Sequence, residues 1–204
     1  MQEPTHILAG VIIQKCFDGA KHRKLALGLT AAAGFLSHGL LDQLARVTYH
    51  PAKPDFQSPV WVGFHTVVLA ATILFLVVWW KKFKWGILFA AVPDVDWIFI
   101  HGQEIFHFQI PFYRTPHLHN LLGFIYDKIP PFSFVTHYIK LLPYNRHNPW
   151  AGLWEGLLIA ALLLVSGLLA PAKSCAPGQA GELGVAAVRA DRGEVESKAQ
   201  TAKT

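Results

Sequence analysis

Two stretches of the chain are long, apolar and almost free of charge. Residues 60–80 contain no Asp, Glu, Lys or Arg, and Glu155 is the single such residue in 150–170. A helix needs about 20 predominantly apolar residues to cross the hydrocarbon core of a bilayer. Both stretches therefore predict transmembrane helices, with a buried helix of a globular core as the alternative.

Three further runs are shorter or interrupted by polar residues. Residues 25–41 are uncharged, residues 85–100 contain Asp94 and Asp96, and residues 7–17 have the length of an amphipathic helix or half a span. The first two become further spans if their polar ends meet in a shared site. We therefore expect an all-α, multi-pass integral membrane bundle with about four transmembrane helices.

The remaining segments differ in character from these runs. Residues 101–149 mix His, aromatic residues and several prolines, which predicts short interfacial helices and turns. Residues 171–204 contain neither an aromatic residue nor a histidine, and we expect a disordered tail there. The predicted organisation is a membrane-embedded helical domain, 1–170, followed by this C-terminal tail.

Composition supports the membrane class and limits the functional classes. Apolar residues make up 52% of the chain and charged residues 15%, against about 25% charged in an average soluble domain. The net charge is +5, but the basic residues form small scattered clusters, so no nucleic-acid partner is expected. Two cysteines, Cys16 and Cys175, are too few for a disulfide framework or a thiolate metal cluster. No oligomeric state is predicted.

Polar side chains at the ends of the apolar runs are candidates for chemistry. His38 and Asp42 are four residues apart at the end of a predicted helix, so they share one face. Imidazole and carboxylate groups both bind zinc, manganese and iron. The pair could equally consist of a ligand oriented by a carboxylate, or be a purely structural hydrogen bond.

A second candidate is the pair Asp94 and Asp96, which lies close to the end of an apolar run that continues beyond it. Carboxylates in or near lipid usually face a polar interior and mark a functional site. Their spacing suits a helix end where both groups approach one cation or two. A helix terminus exposed to water is the alternative.

Further candidates come from the polar segment after the third run and from the start of the chain. His117 and His119 form an H-x-H pair, and Arg114 beside them could hold a phosphate or carboxylate through its planar guanidinium. An interfacial loop with incidental histidines is the alternative. His6 follows Thr5 at the start of the chain and would join the same site if residues 7–17 run toward the opposite membrane face.

An alternating four-span topology brings these groups to one membrane face. The predicted ligands of a divalent metal ion, with zinc first and manganese or iron as alternatives, are His6, His38, Asp42, Asp94, Asp96 and His117 or His119.

The motifs T-H, S-H-x-L-L-D, P-D-x-D and R-x-x-H-x-H resemble those of the bacterial and archaeal membrane-bound metal-dependent hydrolase family, which is distantly similar to zinc phospholipase C. The order differs, because S-H-G-L-L-D here precedes P-D-V-D, and Tyr113 stands where the family has a histidine. The resemblance implies a metal-dependent hydrolase in the cytoplasmic membrane of a prokaryote, with the metal ligands named above.

We therefore expect a hydrolase that acts at the membrane surface on a phosphoester or another lipid-linked bond, with Arg114 as the catalytic-site residue that binds the substrate's anion. Two other functions use the same residues. A small transporter would use them as a cation or proton relay, and a non-catalytic membrane protein would use them as a structural metal site.

Overall fold

A computed structural model describes residues 2–51, 55–111 and 113–169. Within these residues, every regular element is a helix, so the all-α expectation is confirmed for this part of the chain. The predicted tail, 171–204, lies outside the described residues. The α-helices are α1 (Glu3–Phe17), α2 (Arg23–Leu44), α3 (Pro59–Ala91), α4 (Val95–Phe106), α5 (His117–Lys128), α6 (Phe132–Lys140) and α7 (Gly152–Leu168).

Three helical stretches are long and apolar enough to cross a membrane, namely Arg23–Val47, Pro59–Gln103 and Pro149–Leu168. The second joins two runs that the sequence analysis treated as separate spans. Large apolar side chains cover its outer surface, since Val67 is 68% exposed and Val77 is 76% exposed. Such a surface would be unfavourable in water and is consistent with contact with a lipid bilayer.

Helix α1 lies at the centre of the bundle. Its residues Ile7, Leu8 and Val11 have no solvent-accessible surface, and they pack against Phe75 and Ile87 of α3. The helix also contacts α2 and α7. The sequence predicted a helix beginning at residue 7, but α1 begins four residues earlier and is buried along most of its length.

A pair of glycines lets α1 approach α3 closely. A Cβ atom on Gly10 would collide with the backbone carbonyl of Gly86, and a Cβ on Gly86 would collide with the carbonyl of Gly10. Small residues at such crossings are typical of helices that pack in membranes, where close backbone contact replaces the hydrophobic driving force.

Helix α3 is kinked at Phe83, whose backbone angles (φ −123°, ψ 26°) are not helical. The amide of Gln14 on α1 occupies the break. Its nitrogen donates to the carbonyl of Lys82 at 3.1 Å, and its oxygen accepts from the N–H of Gly86 at 2.8 Å. These two backbone groups would bond each other in a regular helix, so Gln14 satisfies both polar groups that the kink leaves open.

The two ends of α3 approach the same part of the bundle. Phe64, near its start, packs on Gly152 at the beginning of α7. The carbonyl of Ala90, near its end, accepts a hydrogen bond from the ring of His38 beside the first turn of α1. That turn contacts α7 through the hydrogen bond from Thr5 to Glu155. A straight helix would separate Phe64 and Ala90 by about 39 Å. Helix α3 therefore folds back at the kink.

Between α4 and α7 the chain forms the short helices and proline turns that the sequence predicted. Helix α5 rests on α2 through Tyr126, whose hydroxyl donates to the carbonyl of Leu36 at 2.7 Å. The Tyr126 ring covers Gly39, where a Cβ atom would be only 2.7 Å from it. This contact holds α5 against α2.

Candidate metal centre

His38 and Asp42 lie one helical turn apart on α2, as their spacing predicted. The Nε2 atom of His38 is 3.2 Å from Asp42 Oδ2, and the histidine is fully buried. Its other ring nitrogen, Nδ1, lies 2.7 Å from the carbonyl oxygen of Ala90. Because a carbonyl can only accept, Nδ1 carries a proton, and Nε2 is the ring nitrogen that faces Asp42.

His119 approaches the same point from the first turn of α5. Its Nε2 atom is 3.4 Å from His38 Nε2 and 3.5 Å from Asp42 Oδ2. Its Nδ1 atom is 3.1 Å from Asp96 Oδ2. A carboxylate on the outer nitrogen of a histidine fixes the ring and directs the inner nitrogen toward a metal.

Asp94 ends the short 3-10 turn Val92–Asp94 that follows α3. Its Oδ1 atom is 3.6 Å from His38 Nε2 and 3.8 Å from His119 Nε2. Pro93 lacks a backbone N–H and stands where the long helix gives way to this turn. The turn thus directs the carboxylate of Asp94 at the two imidazoles.

His6 enters the cluster from α1. Its ring stacks on that of His38, with centroids 3.9 Å apart and an interplanar angle of 15°. Its Nε2 atom is 3.6 Å from Asp42 Oδ1, so Asp42 directs one oxygen at His6 and the other at His38 and His119. Thr5, the preceding residue, donates its hydroxyl hydrogen to the buried carboxylate of Glu155 and so anchors this turn to α7.

These atoms have the spacing of ligands around a metal ion. Two sets have ligand atoms that all lie within 4.8 Å of one another, namely His6 with His38 and Asp42, and His38 with Asp94 and His119. Atoms bound tetrahedrally to zinc at about 2.0–2.1 Å lie about 3.3 Å apart. The nitrogen–oxygen and nitrogen–nitrogen distances of 3.2–3.8 Å fit that value.

Asp96 does not join either set and instead organises the residues around it. It is fully buried, and its carboxylate accepts hydrogen bonds from the backbone N–H of His119 at 2.9 Å and from the hydroxyl of Tyr113. The bond to Asp96 raises the pKa of Tyr113 to about 12, because losing the proton would place two negative charges together. The structure thus gives Asp96 an orienting position, whereas the sequence analysis expected a ligand.

The acidic surroundings also act on His119. Burial disfavours its protonated form, but hydrogen bonds to Asp42 and Asp96 outweigh burial and raise its pKa. The same carboxylates would also favour a divalent cation at this position.

A cleft of about 540 Å³ opens beside the cluster and is lined by Asp42, Asp94 and His119 together with Trp97, His50 and Arg146. The indole N–H of Trp97 donates to His119 Nε2 at 3.1 Å, so it occupies the nitrogen that a metal ion would bind. The cleft therefore leaves Asp42, Asp94 and His119 accessible from outside the bundle.

Two residues singled out from the sequence lie elsewhere. Arg114 is exposed and is not among the residues that line the cleft. His117 is exposed, makes an edge-on contact with the ring of Tyr113, and belongs to neither set of candidate ligands. The structure brings together His6, His38, Asp42, Asp94 and His119, with Asp96 behind them.

Several residues at or beside the cleft were not selected from the sequence. Trp97, His50 and Arg146 line it, and the carboxyl group of Glu3 hydrogen-bonds Asp94. Arg146 precedes the apolar run 150–170, and an alternating four-span topology puts that segment on the same membrane face as the candidate ligands, which was the available signal. Nothing in the local sequence distinguishes it from the other basic residues of that face.

Comparisons with protein-family models, with curated proteins and with solved structures find no match to this chain.

Proposed function

We propose that this chain is a membrane-bound, metal-dependent hydrolase that cleaves a phosphoester or another lipid-linked bond at the membrane surface. The observation that carries the proposal is the convergence of His38, His119, Asp42 and Asp94 from three separate helical segments, with ring nitrogens and carboxylate oxygens 3.2–3.8 Å apart beside an open cleft. A structural metal site would be closed, whereas a catalytic one keeps access for water and substrate.

The proposed membrane arrangement has four crossings. The kink at Phe83 divides the stretch Pro59–Gln103 into two crossings, and Lys81, Lys82 and Lys84 beside it lie at the membrane edge. This arrangement puts the metal centre at the opposite edge, where lipid headgroups meet water. The motif resemblance favours the cytoplasmic membrane of a prokaryote.

Each residue then has a defined task. His38 and His119 hold the cation with their Nε2 atoms, and Asp42 and Asp94 neutralise its charge. The carbonyl of Ala90 and the carboxylate of Asp96 keep the two rings in the required tautomer. When bound, a zinc, manganese or iron ion supplies Lewis-acid polarisation of the scissile bond and acidifies water. His6 completes the ligand set from α1.

Elemental analysis of the detergent-purified protein, prepared without chelator, tests the proposal. We expect near-stoichiometric transition metal in the wild type and its loss in His38→Ala and Asp94→Ala. His137→Ala, which changes an exposed histidine of α6, is the matched control and should retain the metal.

Hydrolysis of phospholipids and soluble phosphoesters is then measured with the metal-loaded protein. A wild type that holds no metal after reconstitution with zinc, manganese and iron would refute the proposal and favour a proton or cation path. Metal binding without hydrolysis of any phosphoester would favour a structural site.

A further inference from the structure

The cleft beside the metal centre contains a cationic side chain that the metal site does not use. Arg146 lines this cleft together with Asp42, Asp94 and His119. Its Nε–H is buried and has no hydrogen-bond partner among the described residues. Because Arg146 lines the cleft, its positive charge favours an anionic ligand there.

The backbone holds Arg146 in place. The carbonyl of Arg146 accepts the N–H of His50 at 3.0 Å, and the carbonyl of Arg46 accepts the N–H of Asn145 at 2.7 Å. These two bonds join the segment after α2 to the segment before α7. They position Arg146 independently of the metal ligands, which come from α1, α2, α5 and the turn after α3.

His50 offers a second donor in the same cleft. The amide nitrogen of Gln2 lies 3.3 Å from the carbonyl of Tyr49 and 3.1 Å from His50 Nδ1. Because a carbonyl only accepts, this Gln2 atom is the NH₂ group, and His50 Nδ1 accepts from it. Burial lowers the pKa of His50 to about 4, so the ring is neutral at pH 7 and carries its one proton on Nε2.

We infer that this cleft binds a phosphoryl group, with some of the phosphoryl oxygens on the metal ion and others on the guanidinium of Arg146. A tetrahedral phosphoryl group has enough diverging oxygens to meet both partners, and the planar guanidinium matches two of them at once. The inference rests on the proposed function, because Asp42 and Asp94 would repel an anion until a cation neutralises them. Phosphoryl binding in the cleft therefore depends on the metal.

Calorimetric titration of the zinc-loaded full chain in phosphatidylcholine nanodiscs with inorganic phosphate tests the inference. We expect Arg146→Gln to retain zinc and to bind phosphate about tenfold to a hundredfold more weakly, which is the loss expected for a charge-assisted hydrogen bond. Arg114→Gln removes the same charge from an exposed position outside the cleft and should bind phosphate as the wild type does.

Unchanged phosphate affinity in Arg146→Gln, or an equal loss in Arg114→Gln, would overturn the inference while leaving the metal centre intact. If Arg146→Gln loses zinc, the titration uses Arg146→Lys in its place, since lysine keeps the charge and lacks the planar guanidinium. A phosphate affinity of Arg146→Lys equal to that of the wild type would then overturn the inference. Phosphate affinity that is the same with and without zinc would also overturn it. A wild type that binds no zinc refutes the proposed function itself.

A second set of nanodiscs, in which phosphatidic acid replaces part of the phosphatidylcholine, distinguishes the sources of the phosphoryl group. If phosphatidic acid competes with inorganic phosphate in the wild type and this competition is lost in Arg146→Gln, the cleft binds a lipid headgroup. Phosphate binding that phosphatidic acid does not affect would assign it to a soluble phosphate ester. Both results support the phosphoryl subsite.

Discussion

The ring of His38 donates a hydrogen bond from Nδ1 to the backbone carbonyl of Ala90 across 2.7 Å. This bond joins α2 to α3 and fixes the tautomer of a fully buried histidine. Nε2 is consequently the ring nitrogen that faces Asp42 before any cation arrives. Metal binding at His38 therefore requires neither a ring flip nor the transfer of a proton within the ring.

The carboxylate of Asp96 should tune metal affinity without being a ligand. In Asp96→Asn the remaining oxygen can still accept from both donors of His119, but the negative charge that makes the ring a stronger ligand is lost, and the NH₂ group cannot accept from Tyr113. We expect zinc affinity to fall about tenfold to a hundredfold, as for other residues that support a metal-bound histidine. Competition with a fluorescent chelator measures the change. Asp127→Asn, which alters an exposed pair with Lys140, is the control, and equal affinities in all three proteins would contradict the orienting role.

The indole of Trp97 should report metal binding, because its N–H and a cation compete for His119 Nε2. In Trp97→Phe the hydrogen bond is lost and the competition ends. We expect zinc to bind about twofold to tenfold more tightly, given the usual net strength of one hydrogen bond. The zinc-induced change in tryptophan fluorescence should shrink in this variant and persist in Trp150→Phe, which alters a ring that is 76% exposed. An unchanged fluorescence response in Trp97→Phe would contradict the competition.

The contact between Gly10 and Gly86 should tolerate no side chain. In Gly10→Ala the new methyl group would meet the carbonyl of Gly86, and backbone cannot move aside as a side chain can. We expect a loss of about 1–3 kcal/mol or more in stability, together with lower zinc content, because α1 carries His6. Gly28→Ala, which meets nothing within 4 Å, should leave the thermal midpoint equal or higher. Equal midpoints for the two variants would contradict the close helix packing.

The half-buried His50 should make stability depend on pH. Burial, with the nearby cations adding to it, lowers the pKa of His50 from 6.5 to about 4 in the folded chain. Between these values the unfolded chain binds more protons, so this contribution to stability is present above pH 6.5 and is lost as the pH falls toward 4. Thermal midpoints of the zinc-free protein at pH 7 and pH 5 measure it. We expect a smaller difference in His50→Gln than in the wild type or in His137→Gln; identical differences would rule out this contribution.

Part of the centre followed from sequence because local spacing determines it. The i, i+4 relation of His38 and Asp42 required only a helix, and the position of Asp94 required only that an apolar run end there. Choosing between His117 and His119 required knowing that α5 begins at His117. In an extended segment both rings could reach one side, whereas in a helix residues two positions apart point in nearly opposite directions, and only His119 faces the cluster.

Other parts depend on contacts between distant segments and leave no local pattern. Arg146 reaches the cleft because the segments around residues 46–50 and 145–146 pair through their backbones, and sequence spacing cannot reveal such a pairing. The fold-back of α3 depends on Gln14, which replaces the missing helical hydrogen bond from another helix. Hydropathy detected the two apolar runs and did not reveal the side chain that stabilises the kink between them.

The hydrogen bond between Thr5 and Glu155 links the beginning of the helical bundle to its last helix. During synthesis α1 leaves the ribosome before α2, α3 and α7, and these later helices supply the surfaces that bury it. Insertion of α7 is therefore the step that completes the environment of α1 and secures His6 beside His38. A partially synthesised chain would lack this anchor, so full metal-binding capacity should arise only after translation has passed α7.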